Sequence, residues 1–300
     1  MAYRRKRSYT RRRPTRKRSY PSRRSYTARR RSTRPKMSRK RILNMTSEKK
    51  MDTMCNFTNY TLDNNGGNTL ISTPTVIKGG GRVYGFLWCA TARQGFSQNR
   101  LATKIDKGTR TSQTCFMRGL KENISIQTNT GAPWIWRRIC FTAKGNYLDL
   151  AQNKLSAPLY SLTTSGYLRV TTDWLGNDTQ KQALLNPLFR GKEGTDWSNL
   201  FSATVDTERV NLKYDKTTTI RSGNNLGTVQ TYKRWHPMNK NLIYDDDEEG
   251  GLETTANLSV KSKSGMGDYY VFDMLIAAGG STTNDLMVWD PTSTLYWHEK

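Results

Sequence analysis

From residue 53 onward, short runs of β-branched and aromatic residues alternate with clusters of Gly, Asn, Asp and Pro. Runs of that length, bounded by turn formers, predict strands. They fall at 54–62, 83–91, 123–128, 134–141, 167–172, 209–214, 229–234, 269–277, 286–289 and 294–298. Apolar residues recur at every second position, as in Ile124/Ile126 and Val210/Leu212/Tyr214, which sends one set of side chains inward and the other outward. Turn signals at Asn65-Gly66-Gly67, Gly79-Gly80-Gly81, Asn129-Thr130-Gly131 and Gly279-Gly280 separate the runs. Helix is scarce, with 179–185 the best short stretch. Eight or more strands without an internal repeat predict an all-β body of two packed sheets, with the jelly roll a leading arrangement.

The first 41 residues break this pattern. They contain no Ile, Leu, Val or Phe, and they hold 20 of the 49 basic residues and none of the 24 acids. The other 259 residues therefore share 29 basic and 24 acidic side chains, a net of +5 out of the whole chain's +25. A segment with nothing apolar to bury, strong self-repulsion and prolines at 14, 21 and 35 is expected to be disordered by itself. The organisation expected is an arm over 1–41, a junction over 42–52 and a folded body over 53–300, long enough for a sizeable core.

The arm has no internal carboxylate, so its charge must be offset by solvent ions or by a polyanionic partner. Arg outnumbers Lys there, and the planar guanidinium forks onto phosphate oxygens as an ammonium does not. The expected phosphate contacts are Arg4, Arg5, Lys6, Arg7, Arg11, Arg12, Arg13, Arg16, Lys17, Arg18, Arg23, Arg24, Arg29, Arg30, Arg31 and Arg34. Tyr3, Tyr9, Tyr20 and Tyr26 recur between the basic clusters, placed to stack on unpaired bases, which favours a single strand. Arg11 to Arg13 with Arg16, Lys17 and Arg18 also fit a nuclear import signal. A mitochondrial transit peptide shares the Arg and Ser bias, but the arm lacks the apolar face that one needs.

Other classes lose support from what the sequence lacks. No apolar run reaches the length of a bilayer span, since 269–278 is short and holds Asp273, and no apolar stretch follows the basic start as a secretory signal requires. No membrane partner is expected, and the chain is expected on the cytosolic or nuclear side. Cys55, Cys89, Cys115 and Cys140 lie far apart without a C-x-x-C, and His236 and His298 are the two histidines, so buried free thiols are expected and no metal site or cofactor. There is no phosphate-binding G-x-x-x-x-G-K-[ST] and no G-x-S-x-G elbow, so no catalytic residue is assigned. His236, in Trp235-His236-Pro237, reads as a structural residue at a strand end.

Two charged stretches of the body stand out. Residues 78–121 hold nine basic side chains (Lys78, Arg82, Arg93, Arg100, Lys104, Lys107, Arg110, Arg118 and Lys121) and one acid, Asp106. They either share a face that continues the arm's surface or are scattered over loops and edges. Arg137 and Arg138, adjacent in a strand, must point to opposite faces. The acidic run 245–249 lacks the spacing of a calcium loop, which favours a solvated turn or a contact with a neighbouring basic surface.

The segment Ser38-Arg39-Lys40-Arg41-Ile42-Leu43-Asn44, followed by Thr46-Ser47 and Lys49-Lys50-Met51-Asp52-Thr53-Met54, resembles the arm-to-shell junction of genomovirus capsid proteins, those of small circular single-stranded DNA viruses related to geminiviruses. Arg118-Gly119-Leu120, Trp235-His236-Pro237 and the closing Ser293-Thr294-Leu295-Tyr296-Trp297-His298 extend the resemblance along the chain. It implies a single jelly roll of eight main strands, a homo-oligomer of sixty copies in a T=1 icosahedral shell, packaging of a single-stranded DNA genome, and recognition by host nuclear import receptors. The virion, and the host nucleus during assembly, are the implied locations. Sixty arms would bring about 1,200 positive charges to the packaged strand. The competing reading is a cellular RNA-binding or ribosomal-type protein with a basic extension.

Overall fold

The computed structural model describes residues 37–97, 100–144, 148 and 157–300. Eight strands carry the body: β1 (Glu48–Met54), β2 (Tyr84–Cys89), β3 (Thr114–Thr128), β4 (Trp134–Ala143), β5 (Asn211–Ile220), β6 (Val229–Ile243), β7 (Asp268–Ala277) and β8 (Leu286–Glu299). They form two antiparallel sheets, ordered β1-β8-β3-β6 and β5-β4-β7-β2, with the short strand Thr75–Lys78 also paired to β8. Strand β1 pairs with β8, β2 with β7, β3 with β6 and β4 with β5. The chain is thus a long antiparallel ribbon folded over into two sheets, which is the jelly roll.

The two sheets differ in what covers their outer sides. Strands β4 and β7 are buried along almost their whole length. The long connection from β4 to β5 supplies the cover. It carries the helix α2 (Asp178–Leu188), whose Asn177 cap accepts from the Thr179 and Gln180 N–H groups and whose Leu184, Leu185 and Leu188 are buried in the main core. Gly85 of β2 lies so close beneath Leu175 that a Cβ there would stand 2.5 Å from Leu175 Cγ. By contrast, β1, β3 and β8 alternate buried with partly or fully exposed positions. That sheet keeps an open face in the single chain.

Several strands differ from their sequence expectation. In place of one strand over 54–62, the chain forms a strand over Glu48–Met54, inside the stretch expected as a junction, where Lys50 turns inward and pairs with Glu299 at 3.4 Å, and then a separate short strand, Asn56–Thr58. The runs 286–289 and 294–298 are one strand through Pro291. Pro291 falls between the β8 residues paired to Thr75–Lys78 and those paired to β1, so its missing N–H costs no ladder bond on that side. Strand β6 runs past Arg234 to Ile243 and tolerates Pro237 because it is an edge strand with a bulge between Pro237 and Lys240, where Asn239 adopts φ 49°. Helix α2 continues three residues beyond 185, with Pro187 in its last turn.

The chain divides into units at 42/43. Helix α1 (Arg39–Thr46) spans that division and has no buried residue.

Candidate nucleic-acid interface and the buried charge cluster

All the residues expected to contact nucleic acid, from Arg4 to Arg34 with Tyr9, Tyr20 and Tyr26, and the import cluster Arg11 to Arg18, lie outside the described residues. In the body, the buried basic side chains Lys50, Arg93, Arg110, Arg137, Arg138 and Arg169 each pair with a carboxylate of the chain itself. Five of the nine basic side chains in 78–121 pair with the chain's own carboxylates: Arg82 with Asp173, Arg93 with Asp52, Arg100 with Asp106, Lys107 with Glu48 and Arg110 with Asp246. Arg93 and Arg110 are buried. The nine therefore do not form one uncompensated basic face, although Arg118 and Lys121 both point outward from the same strand.

The acidic run is drawn into this pairing. Asp246 meets Arg110 through two contacts of 2.5 Å, and the Arg110 guanidinium lies 4.0 Å from the centre of the Tyr244 ring. Asp247–Glu249 pairs with Leu252–Thr254 as an exposed hairpin. Among the described residues no group of three or more His, Cys, Asp or Glu side chains is placed to hold a metal ion. Cys89, Cys115 and Cys140 are buried free thiols as expected, whereas Cys55 is exposed.

The densest charge lies between the sheets. Arg138 donates from Nε and Nη2 to the two oxygens of Asp273 at 2.7 and 2.8 Å, and from Nη1 to Glu122. Arg169 donates to Asp273 at 2.9 Å, and its Nε lies 3.6 Å from Glu122. Trp136 Nε1 and Ser293 Oγ complete the carboxylates at 2.7 and 2.9 Å. Two cations thus face two anions, all fully buried, with Glu122 and Ser293 from one sheet and Arg138 and Asp273 from the other. Burial alone would raise Glu122 and Asp273, but the adjoining guanidiniums outweigh it and both stay below their usual range. Arg137, as its position predicts, points the other way, onto Asp215 and the Leu200 carbonyl.

His236 touches this cluster from mid-strand in β6, 3.8 Å from Glu122 and 3.4 Å from Arg138. Its Nδ1 lies 3.9 Å from Cys140 Sγ, a pairing that in an open site would suggest a nucleophile and its base. The electrostatics run the other way. Burial and then Arg138 push His236 down to about 4, and burial raises the Cys140 thiol. Both side chains are closed off from solvent, so this pair cannot meet a substrate.

Those shifts set a pH profile. Because the folded-state His236 is depressed from 6.5 to about 4, the unfolded chain takes up its proton first, and stability is lost as pH falls across that interval. Asp268 is fully buried, holds Ser259 N and Oγ at 3.0 and 2.7 Å, and is raised by burial from 3.8 to about 6. It acts in the opposite direction, favouring the fold as pH falls from 6 to 3.8. Each effect is on the order of 3 kcal/mol, so the two largely offset one another between pH 6 and 4. Asp268→Asn is expected to be more stable than wild type at pH 7 but not at pH 4, and to lose stability steadily between. Urea denaturation across that range checks it; parallel profiles for the two proteins would refute the balance.

No family model matches the chain, and no curated protein matches it either. Among solved structures, VP1 of Trichodysplasia spinulosa-associated polyomavirus in complex with GM1 oligosaccharide is 8% identical at a TM-score of 0.15, covering 84% of this chain and 95% of that one. The same VP1 without the oligosaccharide gives 8% and 0.15, covering 83% and 94%. The assignment of the fold rests on the strand order and pairing.

Proposed function

We propose that this chain is a viral coat protein whose jelly-roll body builds a small icosahedral shell and whose N-terminal arm neutralises packaged single-stranded DNA. The observation that carries this reading is the segregation of charge. The arm over 1–41 holds +20 without a single acid, while the body pairs its internal arginines with its own carboxylates. A body of that kind suits contacts with protein and solvent, and an uncompensated cationic segment suits phosphate. The resemblance to genomovirus capsid proteins supports sixty copies, a circular genome and entry to the nucleus through Arg11 to Arg18. The protein's role is then structural rather than catalytic.

Negative-stain electron microscopy of the purified full chain, together with nuclease protection of the nucleic acid that co-purifies, tests the proposal. Closed, uniform particles that shield single-stranded DNA are expected. Monomers at every salt concentration, with or without DNA, would favour the cellular RNA-binding alternative.

A further inference from the structure

The open face of the sheet β1-β8-β3-β6 carries Lys49, Arg118, Lys121 and Lys233 at its outward positions and one carboxylate, Asp290. Those four cations make no ion pair among the described residues, unlike the paired arginines within the body. His298, on the same face, registers their field: burial first, then Arg118 and Lys49, lower its affinity for a proton.

Amid these cations lies an aromatic platform. Trp235 of β6 is 50% exposed, an unusual state for an indole on a sheet surface. Its ring meets Tyr296 of β8 at a centroid distance of 5.9 Å and 57° between planes, although β3 runs between their two strands. Gly119 of β3 makes this possible. It stands opposite both Tyr296 and Pro237, and a Cβ there would sit 2.7 Å from Trp235 Cζ2. The indole therefore lies over bare backbone, with one face supported and the other open. Lys121 stands opposite Trp235 across the ladder, and Lys233 is two residues along the same strand, on the same side.

We propose that this platform is a second nucleic-acid site, in which an unpaired base of the packaged strand stacks on Trp235 beside Tyr296 while Lys121, Lys233 and Arg118 hold the flanking phosphates. The inference rests on the packaging reading above and adds to it a place on the folded body where the strand is held. A base has a flat face to match the indole, and its backbone carries the charge that the unpaired lysines lack a partner for. A second copy of the chain would have to bring carboxylates to the same place, and that occupant is excluded or revealed by the test.

The test uses the full chain and an oligothymidylate of roughly 16 nucleotides, the upper end of what one such protein site covers, substituted with photoreactive 5-iodouracil. Cross-linked peptides are expected to include Trp235 or Tyr296, besides any from the arm. Trp235→Ala is expected to lose that cross-link and bind about tenfold more weakly, with Trp235→Phe retaining most of both. Lys121→Glu with Lys233→Glu, which removes no packed ring, should lower the salt dependence by about 1.4 in log–log slope. Cross-links confined to the arm, with wild-type affinity in both the alanine and the charge-reversed variants, would overturn the site while leaving packaging intact. Loss of assembly in Trp235→Ala without loss of DNA binding would assign the face to a second copy and likewise overturn it. A wild-type chain that binds no oligothymidylate would remove the packaging reading and this inference together.

Discussion

Replacing Arg138 by Met is expected to destabilise the body by about 4 kcal/mol, because removing one partner from a buried ion cluster leaves the opposing charge uncompensated. Arg138 supplies three of the hydrogen bonds that hold Asp273 and Glu122, and without it two buried carboxylates share Arg169 alone. The long apolar side chain of Met fills most of the vacated volume, so the loss comes from charge rather than from a cavity. Against a total of roughly 5–15 kcal/mol such a loss is a large fraction of the stability, and it would lower the melting temperature by about 10 °C in a body of this size. The double variant Arg138→Met with Asp273→Leu restores one cation to one anion, Arg169 to Glu122, and should recover much of the loss. Urea denaturation of the wild type, the two single variants and the double variant decides the matter. A single variant within 1 kcal/mol of wild type, or a double variant worse than the sum of its parts, would show that the cluster does not hold the sheets together.

The same cluster shows where the sequence stops being legible. Strands such as β2, β4 and β7 could be read because their residues are apolar and β-branched or aromatic, with turn formers at each end. The cluster could not, since Glu122, Arg138, Arg169 and Asp273 are each a lone charge in a strand, and a lone charge reads as a solvent-facing position. Only the folding of the ribbon brings them together, across sequence separations as large as 151 residues between Glu122 and Asp273. Strand β1 was obscured for the same reason, its Lys50 reading as surface until Glu299 is placed beside it. Pro237 and Pro291 read as strand ends because a proline's cost depends on whether its N–H faces a neighbour, which pairing alone decides. The exposed Trp235 left no distinct signal either. Its spacing from Lys233 is an ordinary period-2 alternation, and the feature that makes it a platform, Gly119, sits 116 residues away. Arg137 and Arg138 are the counterexample: adjacent positions in a strand must diverge, and they do.

The arm is read from composition alone, and it carries the other large expected effect. Deleting residues 1–41 should leave a folded body, because both apolar clusters of the core are built from residues between Met54 and Trp297. Binding to single-stranded DNA should fall by about 10³-fold or more at low salt. Each phosphate contact on a single strand contributes about 0.7 to the slope of log K against log salt, so even eight of the arm's 20 cations would contribute a slope of about 6. What remains after deletion should be the shallow dependence of the few cations on the open sheet face. Exchanging only Tyr3, Tyr9, Tyr20 and Tyr26 for Ala should leave the slope unchanged and weaken binding modestly, since stacking releases no counterions. Titrations of oligothymidylate at several salt concentrations separate the two contributions. A truncated chain that melts like the full one yet keeps the full slope would mean that the body, despite its paired arginines, is the main site for the DNA backbone.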